Sequence, residues 1–299
     1  MSILLHRTTR VMIQGITGQM GRFSARDLRA YGTQVVAGAV PGRGGQEVDG
    51  IPVFSSAREA VQQAQVDAAL VYVQPADIMN AAIDAIEQGV RLVVATADEV
   101  PVQDCIAIRD AARANGARFV GPNSPGIISP GQAKMGFMPS FCYTRGDVGV
   151  ISRSGSLSYE VCQRMTRAAI GQTTVIGIGG DPVKGTNAAE ALALFHADPE
   201  TRSVVFLGEI GGVEERAVAE YAARPDAKPV AALIVGRTAP PGKKMGHAAA
   251  LVGSAADTPE AKGRMMRDAG VVVASGLGDV VACIRAARER AAAPLVAAQ

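Results

Sequence analysis

Strand-like and helical patterns alternate twice along this chain, and this alternation constrains its fold more than any other feature. In the first half, strand-like apolar runs lie at residues 11–16, 34–40, 68–73, 91–96 and 118–120. Helical patterns fill the intervals, at residues 19–31, 57–64, 76–88 and 102–115. Such alternation is typical of a parallel sheet that helices cover on both faces. The first half is therefore predicted to form an α/β domain.

The second half repeats the pattern and is predicted to form a second doubly wound sheet. Its strand-like runs lie at residues 148–152, 173–178, 203–207, 229–235 and 271–274, and its helical patterns at residues 156–169, 188–196, 214–223, 258–268 and 277–291. The chain has 299 residues, whereas one domain usually takes about 150 residues. A stretch rich in proline and glycine at residues 121–131 separates the halves. We expect domains at residues 1–125 and 147–299, joined by a linker at residues 126–146.

The composition gives no support for a nucleic-acid or membrane partner. The net charge is only +2, and no apolar run approaches the roughly 18 residues that a membrane span needs. The four cysteines lack the spacing of metal ligands; they are Cys105, Cys142, Cys162 and Cys283. We therefore expect a cytoplasmic protein with reduced thiols and no metal site of its own.

Two features of the first half suit a phosphate-bearing ligand. Gly15, Gly18 and Gly21 follow the first strand and open a helix, where glycines let the backbone approach a phosphate. The end of the second strand carries Arg43 rather than the acidic residue that usually binds the ribose of NAD. Arg43 suits a phosphorylated ribose, as in NADP or coenzyme A (CoA), although a solvated arginine in a surface turn is the alternative. An NADP-dependent reductase is therefore one interpretation of this half.

Two turns of the second half could serve phosphoryl chemistry. Ser154, Gly155 and Ser156 lie where a strand leads into a helix, and they could either cap the helix or cradle an anion. Glu209 follows the apolar run at residues 204–207, which places it at the carboxyl edge of a parallel sheet. A carboxylate at that edge could hold and orient a histidine ring.

His247 is one of only three histidines, and it stands between Gly246 and Ala248. Such small neighbours leave the imidazole sterically open, as a nucleophile that accepts a phosphoryl group requires. When this segment is taken alone, a surface histidine without a catalytic role is the alternative interpretation.

Seven motifs, taken together, resemble the α subunit of succinyl-CoA synthetase. They read QGITG, PGRGG, GPNSPG, SRSG, GIGGDP, GEIGG and MGHA, and they begin at Gln14, Pro41, Gly121, Ser152, Gly177, Gly208 and Met245. They occur in the family's order and extend over nearly the whole chain. The resemblance implies an N-terminal Rossmann-like CoA-binding domain, followed by a second doubly wound, flavodoxin-like α/β domain that carries a phosphohistidine.

The same resemblance implies an ADP- or GDP-forming acid–CoA ligase. In this family a nucleoside triphosphate phosphorylates the α-subunit histidine, the phosphoryl group passes to a carboxylate, and CoA displaces phosphate from the acyl phosphate. ATP or GTP with Mg²⁺ is expected on a separate ATP-grasp β subunit, in an αβ or α2β2 assembly. Succinate is the favoured acid, with malate, sulfoacetate and other short acids as alternatives. A non-catalytic CoA-binding subunit is a further alternative, but it does not account for the presence of both His247 and Glu209.

The resemblance also assigns roles to residues that match its motifs. His247 corresponds to the phosphorylated nucleophile and Glu209 to its orienting carboxylate. The residues expected to bind CoA are Thr17, Gly18, Gln19, Met20, Arg43, Thr96, Ala97 and Asp98. Tyr159 is expected to contact the acid substrate, and the helix start at Ser154, Gly155 and Ser156 is expected to receive the phosphohistidine.

The chain departs from the family pattern at several positions. Arg43 replaces the usual lysine, Ser124 stands where a cysteine is usual, and Ala249 stands where a glycine is usual. Residues 137–147 do not follow the familiar pattern. Because Ser124 and Ala249 correspond to positions near the expected acyl and phosphoryl sites, these changes bear on which acid is activated.

Overall fold

A computed structural model describes residues 2–240 and 242–292, and these residues divide into two compact units. The first unit contains Ser2–Ser140 and Ile176–Thr186. The second unit contains Phe141–Val175 and the residues from Asn187 onward. This division differs from the predicted domains. Residues 176–186 belong to the first unit, whereas the prediction assigned them to the second domain, residues 147–299.

The first unit is built on a seven-stranded sheet. Its strands are β1 (Arg10–Gln14), β2 (Gln34–Ala39), β3 (Glu47–Val48), β4 (Ile51–Phe54), β5 (Ala68–Val71), β6 (Leu92–Ala95) and β7 (Arg118–Val120), in the order β3-β4-β2-β1-β5-β6-β7. Its helices are α1 (Gln19–Tyr31), α2 (Ala57–Ala64), α3 (Ile78–Glu87) and α4 (Val102–Ala114). The strands pair in parallel except for the β3–β4 hairpin. The predicted α/β fold of this half is confirmed.

The β3–β4 hairpin does not appear in the prediction from the sequence. Its strands contain two and four residues on either side of Asp49 and Gly50. Segments this short show no measurable alternation of apolar and polar residues, so the pattern that indicates longer strands cannot reveal them.

Residues 126–146 form more regular structure than the predicted linker. They contain the antiparallel strands β8 (Gly126–Ser129) and β9 (Ala133–Gly136) of the first unit, and β10 begins at Arg145. Both short strands are fully buried, including Ile127 and Met135. The prolines and glycines of this stretch indicate a loop from the sequence, although Gly126, Gly136 and Gly146 lie within strands.

The second unit contains a second α/β sheet. Its strands are β10 (Arg145–Ser152), β11 (Gln172–Gly177, of which the last two residues belong to the first unit), β12 (Ser203–Glu209), β13 (Val230–Val235) and β14 (Val272–Val273), in the order β14-β13-β12-β10-β11. Its helices are α5 (Gly155–Arg167), α6 (Ala188–Ala197), α7 (Glu214–Ala222), α8 (Pro259–Asp268) and α9 (Val280–Ala292). β12 pairs in parallel with both β10 and β13. The carboxyl ends of these three strands therefore meet at one edge of the sheet, where ligand sites of α/β proteins form.

Burial explains why the second sheet is recognisable from sequence. Every residue of β12 is buried, and its run Val204, Val205, Phe206 and Leu207 has at most 1% of its surface exposed. Strands that helices cover on both faces need such continuous apolar runs. Among residues 2–240 and 242–292, no helix has both the length and the apolar character required to cross a membrane.

Candidate active site

Glu209 is the last residue of β12 and is placed at the sheet's carboxyl edge. Its side chain is only 7% exposed, so its charge needs partners within the protein. Its backbone N–H donates to the Glu215 carboxylate at 3.1 Å. The chain beyond Glu209 turns sharply at Gly211 and Gly212, both with a positive φ, before α7 begins. This turn brings Glu215 back beneath the end of the strand.

The segment that carries His247 lies against this turn. An ideal Cβ atom on Gly211 would come within 2.1 Å of the Ala249 carbonyl oxygen, so only glycine allows this approach. The segment is closed on itself by hydrogen bonds, since the N–H of Met245 donates to the Ala250 carbonyl at 2.9 Å and the N–H of Ala250 donates to the His247 carbonyl at 3.1 Å. Ala250 is buried, whereas Met245 is 40% exposed. The loop is thus anchored at its base and open at its tip.

His247 and Glu209 are joined by a hydrogen bond of 2.8 Å between Nδ1 and Oε2. An ionised carboxylate can only accept hydrogen bonds, so Nδ1 carries the proton and Nε2 carries the free lone pair. Nε2 forms no hydrogen bond with any residue that the structure describes. The histidine side chain is 24% exposed, which leaves this nitrogen accessible to a reactant. The pair has the geometry of an oriented nucleophile.

Arg153 holds the opposite side of the Glu209 carboxylate. Its Nη2 lies 2.9 Å from Glu209 Oε1, an ion pair in which the N–H is not aimed along the hydrogen-bond direction. Its Nη1 donates to the Gly211 carbonyl at 2.8 Å and lies 3.4 Å from Glu215 Oε1. The guanidinium is only 1% exposed. Arg153 thus places a buried positive charge behind the carboxylate that faces the histidine.

Lys262 of α8 completes a buried group of four charges. Its ammonium lies 2.6 Å from Glu215 Oε2 and donates to the carbonyls of Glu209 at 3.0 Å and Gly211 at 2.5 Å. Burial lowers the pKa of Lys262, and the neighbouring Glu215 carboxylate acts in the opposite direction. The two cations, Arg153 and Lys262, balance the two carboxylates, so the group as a whole carries no net charge.

The helix start predicted to receive a phosphohistidine follows Arg153 directly. Ser154 is the N-cap of α5, and its hydroxyl accepts the N–H of Leu157 at 3.4 Å. The N–H groups of Gly155 and Ser156, in the first turn, have no acceptor within the helix, and Ser156 is exposed. The capping and anion-binding interpretations are therefore compatible, because different atoms serve each.

Tyr159, expected near the acid substrate, lies in the second turn of α5 and is partly buried. Burial, followed by the proximity of Cys142, raises the pKa of its phenol to about 12. The phenol therefore stays protonated near neutral pH and can donate a hydrogen bond to an anion.

The residues predicted to bind CoA lie at the carboxyl edge of the first unit's sheet. Thr17 and Gly18 lie between β1 and α1, with Gly18 as the N-cap without a side-chain cap, and Gln19 and Met20 are the first residues of α1. A Cβ atom on Gly21 would lie 2.4 Å from the Gly15 carbonyl, so the glycine packs the helix start tightly against the turn. Arg43 follows β2 and is exposed, and Thr96, Ala97 and Asp98 follow β6. The structure thus places these three segments beyond strand ends of one sheet.

A cavity of about 530 Å³ opens at the same edge. Its lining includes Gln14 at the end of β1, Pro41 after β2 and Val73 after β5. The Gln14 amide nitrogen donates to the Ala81 carbonyl at 2.8 Å, whereas its oxygen is buried without a hydrogen-bond donor among the described residues. This oxygen is buried beside the cavity rather than exposed to it.

Ser124, the departure from the family's usual cysteine, is committed to backbone contacts. Its hydroxyl donates to the Gly177 carbonyl at 2.6 Å and accepts the Gly126 N–H at 2.9 Å. The side chain is 4% exposed. Its polar atom is therefore engaged in holding the chain rather than free to act as a nucleophile.

Reasoning from the sequence missed Arg153, Glu215 and Lys262. Arg153 lies inside the quoted SRSG motif and Glu215 lies just beyond GEIGG, so charged residues next to glycine turns were an available signal. Lys262 has no such signal, since one lysine in an amphipathic helix usually faces solvent. In the ranges that the structure describes, no group of three or more His, Cys, Asp or Glu side chains is arranged to hold a metal ion.

Known protein families match both units. Residues 6–98 match the CoA binding domain family, and residues 151–272 match the CoA-ligase family. Together with two α/β sheets and a carboxylate-bound histidine, these matches define a protein of the CoA-ligase class.

Proteins of similar sequence identify the family more narrowly. The chain is 46% identical over 284 residues to the succinate–CoA ligase [ADP-forming] subunit alpha 1 of Archaeoglobus fulgidus, covering 95% of this chain and 97% of the relative. It is 44% identical to the corresponding alpha subunit of Aquifex aeolicus, covering 95% of each chain. The chain belongs to the family of succinate–CoA ligase (succinyl-CoA synthetase) α subunits, as its seven motifs predicted.

Solved structures support the same fold. ATP citrate lyase from Methanothrix soehngenii, in complex with citrate and CoA, superposes with a TM-score of 0.87 at 20% identity. The match covers 96% of this chain and 51% of the lyase, so the chain spans about half of that protein. The dinucleotide-forming acetyl-CoA synthetase 1 of Ca. Korarchaeum cryptofilum matches with a TM-score of 0.75, over 94% of this chain and 61% of the synthetase. At about 20% identity these likenesses show the fold alone.

Proposed function

We propose that this chain supplies the phosphorylated histidine and the CoA site of an ADP- or GDP-forming acid–CoA ligase, with succinate as the acid. The observation that carries the proposal is the bond between His247 Nδ1 and Glu209 Oε2 at 2.8 Å, with Nε2 left accessible. Membership of the succinate–CoA ligase α-subunit family supports the choice of reaction and acid. Neither an NADP-dependent reductase nor a non-catalytic subunit accounts for this oriented and accessible histidine.

His247 Nε2 is the proposed nucleophile. Its lone pair attacks the terminal phosphorus of the nucleoside triphosphate, so an N–P bond forms as the bond from phosphorus to the leaving diphosphate breaks. The imidazole becomes cationic in this step, and its Nδ1–H donates to the charged Glu209, which stabilises the positive ring. The free N–H groups at the start of α5 and the accessible face of the ring are suited to the phosphoryl oxygens.

The phosphoryl group then passes to a substrate carboxylate, so the N–P bond breaks and an O–P bond forms. The thiol of CoA attacks the resulting acyl phosphate, loses its proton and releases inorganic phosphate. Nε2 recovers its lone pair in the first of these steps, and the Glu209–His247 pair returns to its starting state. Tyr159, with a phenol that stays protonated, is the proposed hydrogen-bond donor to the acid.

The first unit is the proposed site for CoA. The N–H groups of Gln19 and Met20 at the start of α1 suit its diphosphate, and Arg43 suits its 3′-phosphate. The cavity at the carboxyl edge has the size for the adenosine end. The CoA binding domain match over residues 6–98 includes all of these residues.

An ATP-grasp β subunit is the proposed partner, and it is the proposed site of the ATP or GTP with its Mg²⁺. The names of its relatives, which are those of α subunits, support this pairing.

The test is to co-express this chain with a candidate β subunit and incubate the complex with γ-labelled ATP, then GTP, in the presence of Mg²⁺.

The expected result is acid-labile, base-stable label on this chain that CoA and one acid together discharge. A panel of succinate, malate and sulfoacetate identifies the acid, and succinate is expected to discharge the label fastest. His196→Ala is the matched control, because it removes a different histidine of the same unit and should leave labelling unchanged. A folded complex that binds CoA but takes no label contradicts the proposed reaction.

A further inference from the structure

Three arginines of the second unit surround a cavity that the ligase reaction does not use. The cavity has a volume of about 360 Å³, and its charged lining residues are Arg237, Glu260, Arg264 and Arg267. Three cations against one carboxylate leave a formal excess of two positive charges around a small space. Clustered like charges repel one another, and the repulsion is relieved when a counter-anion binds.

The three guanidinium groups lack the carboxylate partners that several other arginines of this unit have. Arg145, Arg164, Arg224 and Arg288 each lie within ion-pair distance of a carboxylate. No carboxylate of a described residue is paired with Arg237, Arg264 or Arg267, although Glu260 lines the same cavity. The donors of these three side chains therefore remain available to a ligand.

The cavity's place in the fold is suited to ligand binding. It opens beyond the carboxyl ends of the parallel strands β13 and β14, where Arg237 and Ala274 follow the last strand residues. This is the edge at which α/β proteins bind their ligands. Apolar side chains, including Ile234 and Val273, form the floor of the cavity.

α8 presents the cavity and the His247 site on opposite faces. Glu260, Arg264 and Arg267 are spaced by four and three residues, so they share one face of the helix. Lys262 lies on the opposite face, where it holds the carbonyls behind Glu209. The side chain of Arg267 packs against Gly263, one turn earlier in the helix. A Cβ atom on Gly263 would lie 3.4 Å from Nη1 of Arg267, so the glycine leaves room for this guanidinium.

We infer that this cavity is a second anion site, which binds a compact dianion such as a phosphate group or a short dicarboxylate. Guanidinium groups match both ligands because each presents paired oxygens to a planar fork of donors. A volume of about 360 Å³ accommodates either ligand. The inference does not depend on the ligase reaction, because none of its residues belongs to the His247 site.

Calorimetric titration of the purified αβ complex with inorganic phosphate, and separately with succinate, tests the inference. We expect the wild type to bind at least one of these two anions. The affinity for that anion is expected to fall at least tenfold in the double variant Arg264→Ala/Arg267→Ala and in Arg237→Ala. Arg285→Ala removes an exposed arginine of α9 and is expected to leave this affinity unchanged. Because all of these arginines are exposed, the variants are expected to keep the wild-type melting temperature.

The two anions separate the possible sources of the ligand. If the arginine variants lose binding of phosphate only, the site is assigned to phosphoryl groups. If they lose binding of succinate only, it is assigned to dicarboxylates. If the variants bind both anions as the wild type and Arg285→Ala do, the cavity is no anion site. Labelling of His247 by ATP in the same variants should persist in every case, so failure of this inference is distinguishable from failure of the ligase proposal.

Discussion

Glu209 and His247 are 38 residues apart in sequence and 2.8 Å apart in the structure. A nearly buried carboxylate that touches a partly exposed ring can fix the proton on Nδ1 while leaving Nε2 to react. Arg153 forms a buried ion pair with Glu209 on the side away from the histidine. At the scale of single residues, the site therefore combines an accessible Nε2 of His247 with buried groups, Glu209 and Arg153, that orient the ring.

Glu209→Gln tests the charge of the orienting residue. Glutamine can still accept the hydrogen bond of the ring but carries no negative charge to stabilise the cationic imidazole. We expect the rate of histidine phosphorylation to fall roughly 10- to 100-fold, as for other residues that orient a reactive ligand. Rapid-quench labelling measures the rate, with the exposed Glu220→Gln of α7 as control. A wild-type rate in Glu209→Gln removes its charge from the mechanism.

Arg153→Met tests the buried charge group. Methionine is apolar and leaves the carboxylates of Glu209 and Glu215 with Lys262 as their remaining cation. Breaking a buried ion pair from one side costs about 3–5 kcal/mol, and we expect a loss of that order in the free energy of unfolding. Urea denaturation measures it, and the exposed Arg216→Met should change it by less than about 0.5 kcal/mol. A loss under about 1 kcal/mol in Arg153→Met shows that the group contributes little to stability.

At the scale of elements, strand ends and glycine turns position the site. β12 delivers Glu209 to the sheet edge, the turn after it brings Glu215 beneath the strand, and α8 supplies Lys262. The approach of the His247 segment to Gly211 connects these elements to the reactive loop.

Gly211→Ala tests this approach. Gly211 has a φ of +67°, and a Cβ atom there would collide with the Ala249 carbonyl. The left-handed conformation alone costs an alanine about 1–2 kcal/mol. Gly270→Ala is the matched control, since Gly270 also has a positive φ but has nothing within 4 Å of the added atom. We expect histidine phosphorylation to fall at least tenfold in Gly211→Ala and to persist in Gly270→Ala. Equal rates would show that the contact does not shape the loop.

The sequence predicted the main elements for physical reasons, and the structure brings the predicted pair Glu209 and His247 into contact. Strands buried on both faces need long apolar runs, and the site residues follow those runs into turns rich in glycine. The short strands β3, β4, β8 and β9 carry no comparable pattern. The Arg153–Glu215–Lys262 contacts join residues from three separate segments, and no local rule of sequence connects them.

At the scale of the whole molecule, the chain divides its chemistry between two units. The first unit carries the proposed CoA residues, and the second carries His247 with its buried charges. The matched families follow the same division, with the CoA binding domain at residues 6–98 and the CoA-ligase at residues 151–272. A change in one unit should therefore affect one partial reaction.

Arg43→Ala tests this division. Loss of this exposed cation, which is proposed to contact the 3′-phosphate, should raise the KM for CoA roughly tenfold, as expected for a hydrogen bond to a charged group. The rate of histidine phosphorylation, which precedes the use of CoA, should not change. Steady-state assays and labelling measure the two quantities, with the exposed Arg58→Ala as control. An unchanged KM shows that Arg43 is merely solvated.

The central claim is that His247 accepts a phosphoryl group at Nε2 while Nδ1 stays bonded to Glu209. The most direct measurement is to treat the αβ complex with ATP and Mg²⁺, map the phosphorylated peptide by mass spectrometry and assign the nitrogen by NMR. We predict phosphate on Nε2 of His247 in the wild type and no phosphohistidine in His247→Asn. Phosphate on Nδ1, on another residue, or persisting in His247→Asn would contradict the account.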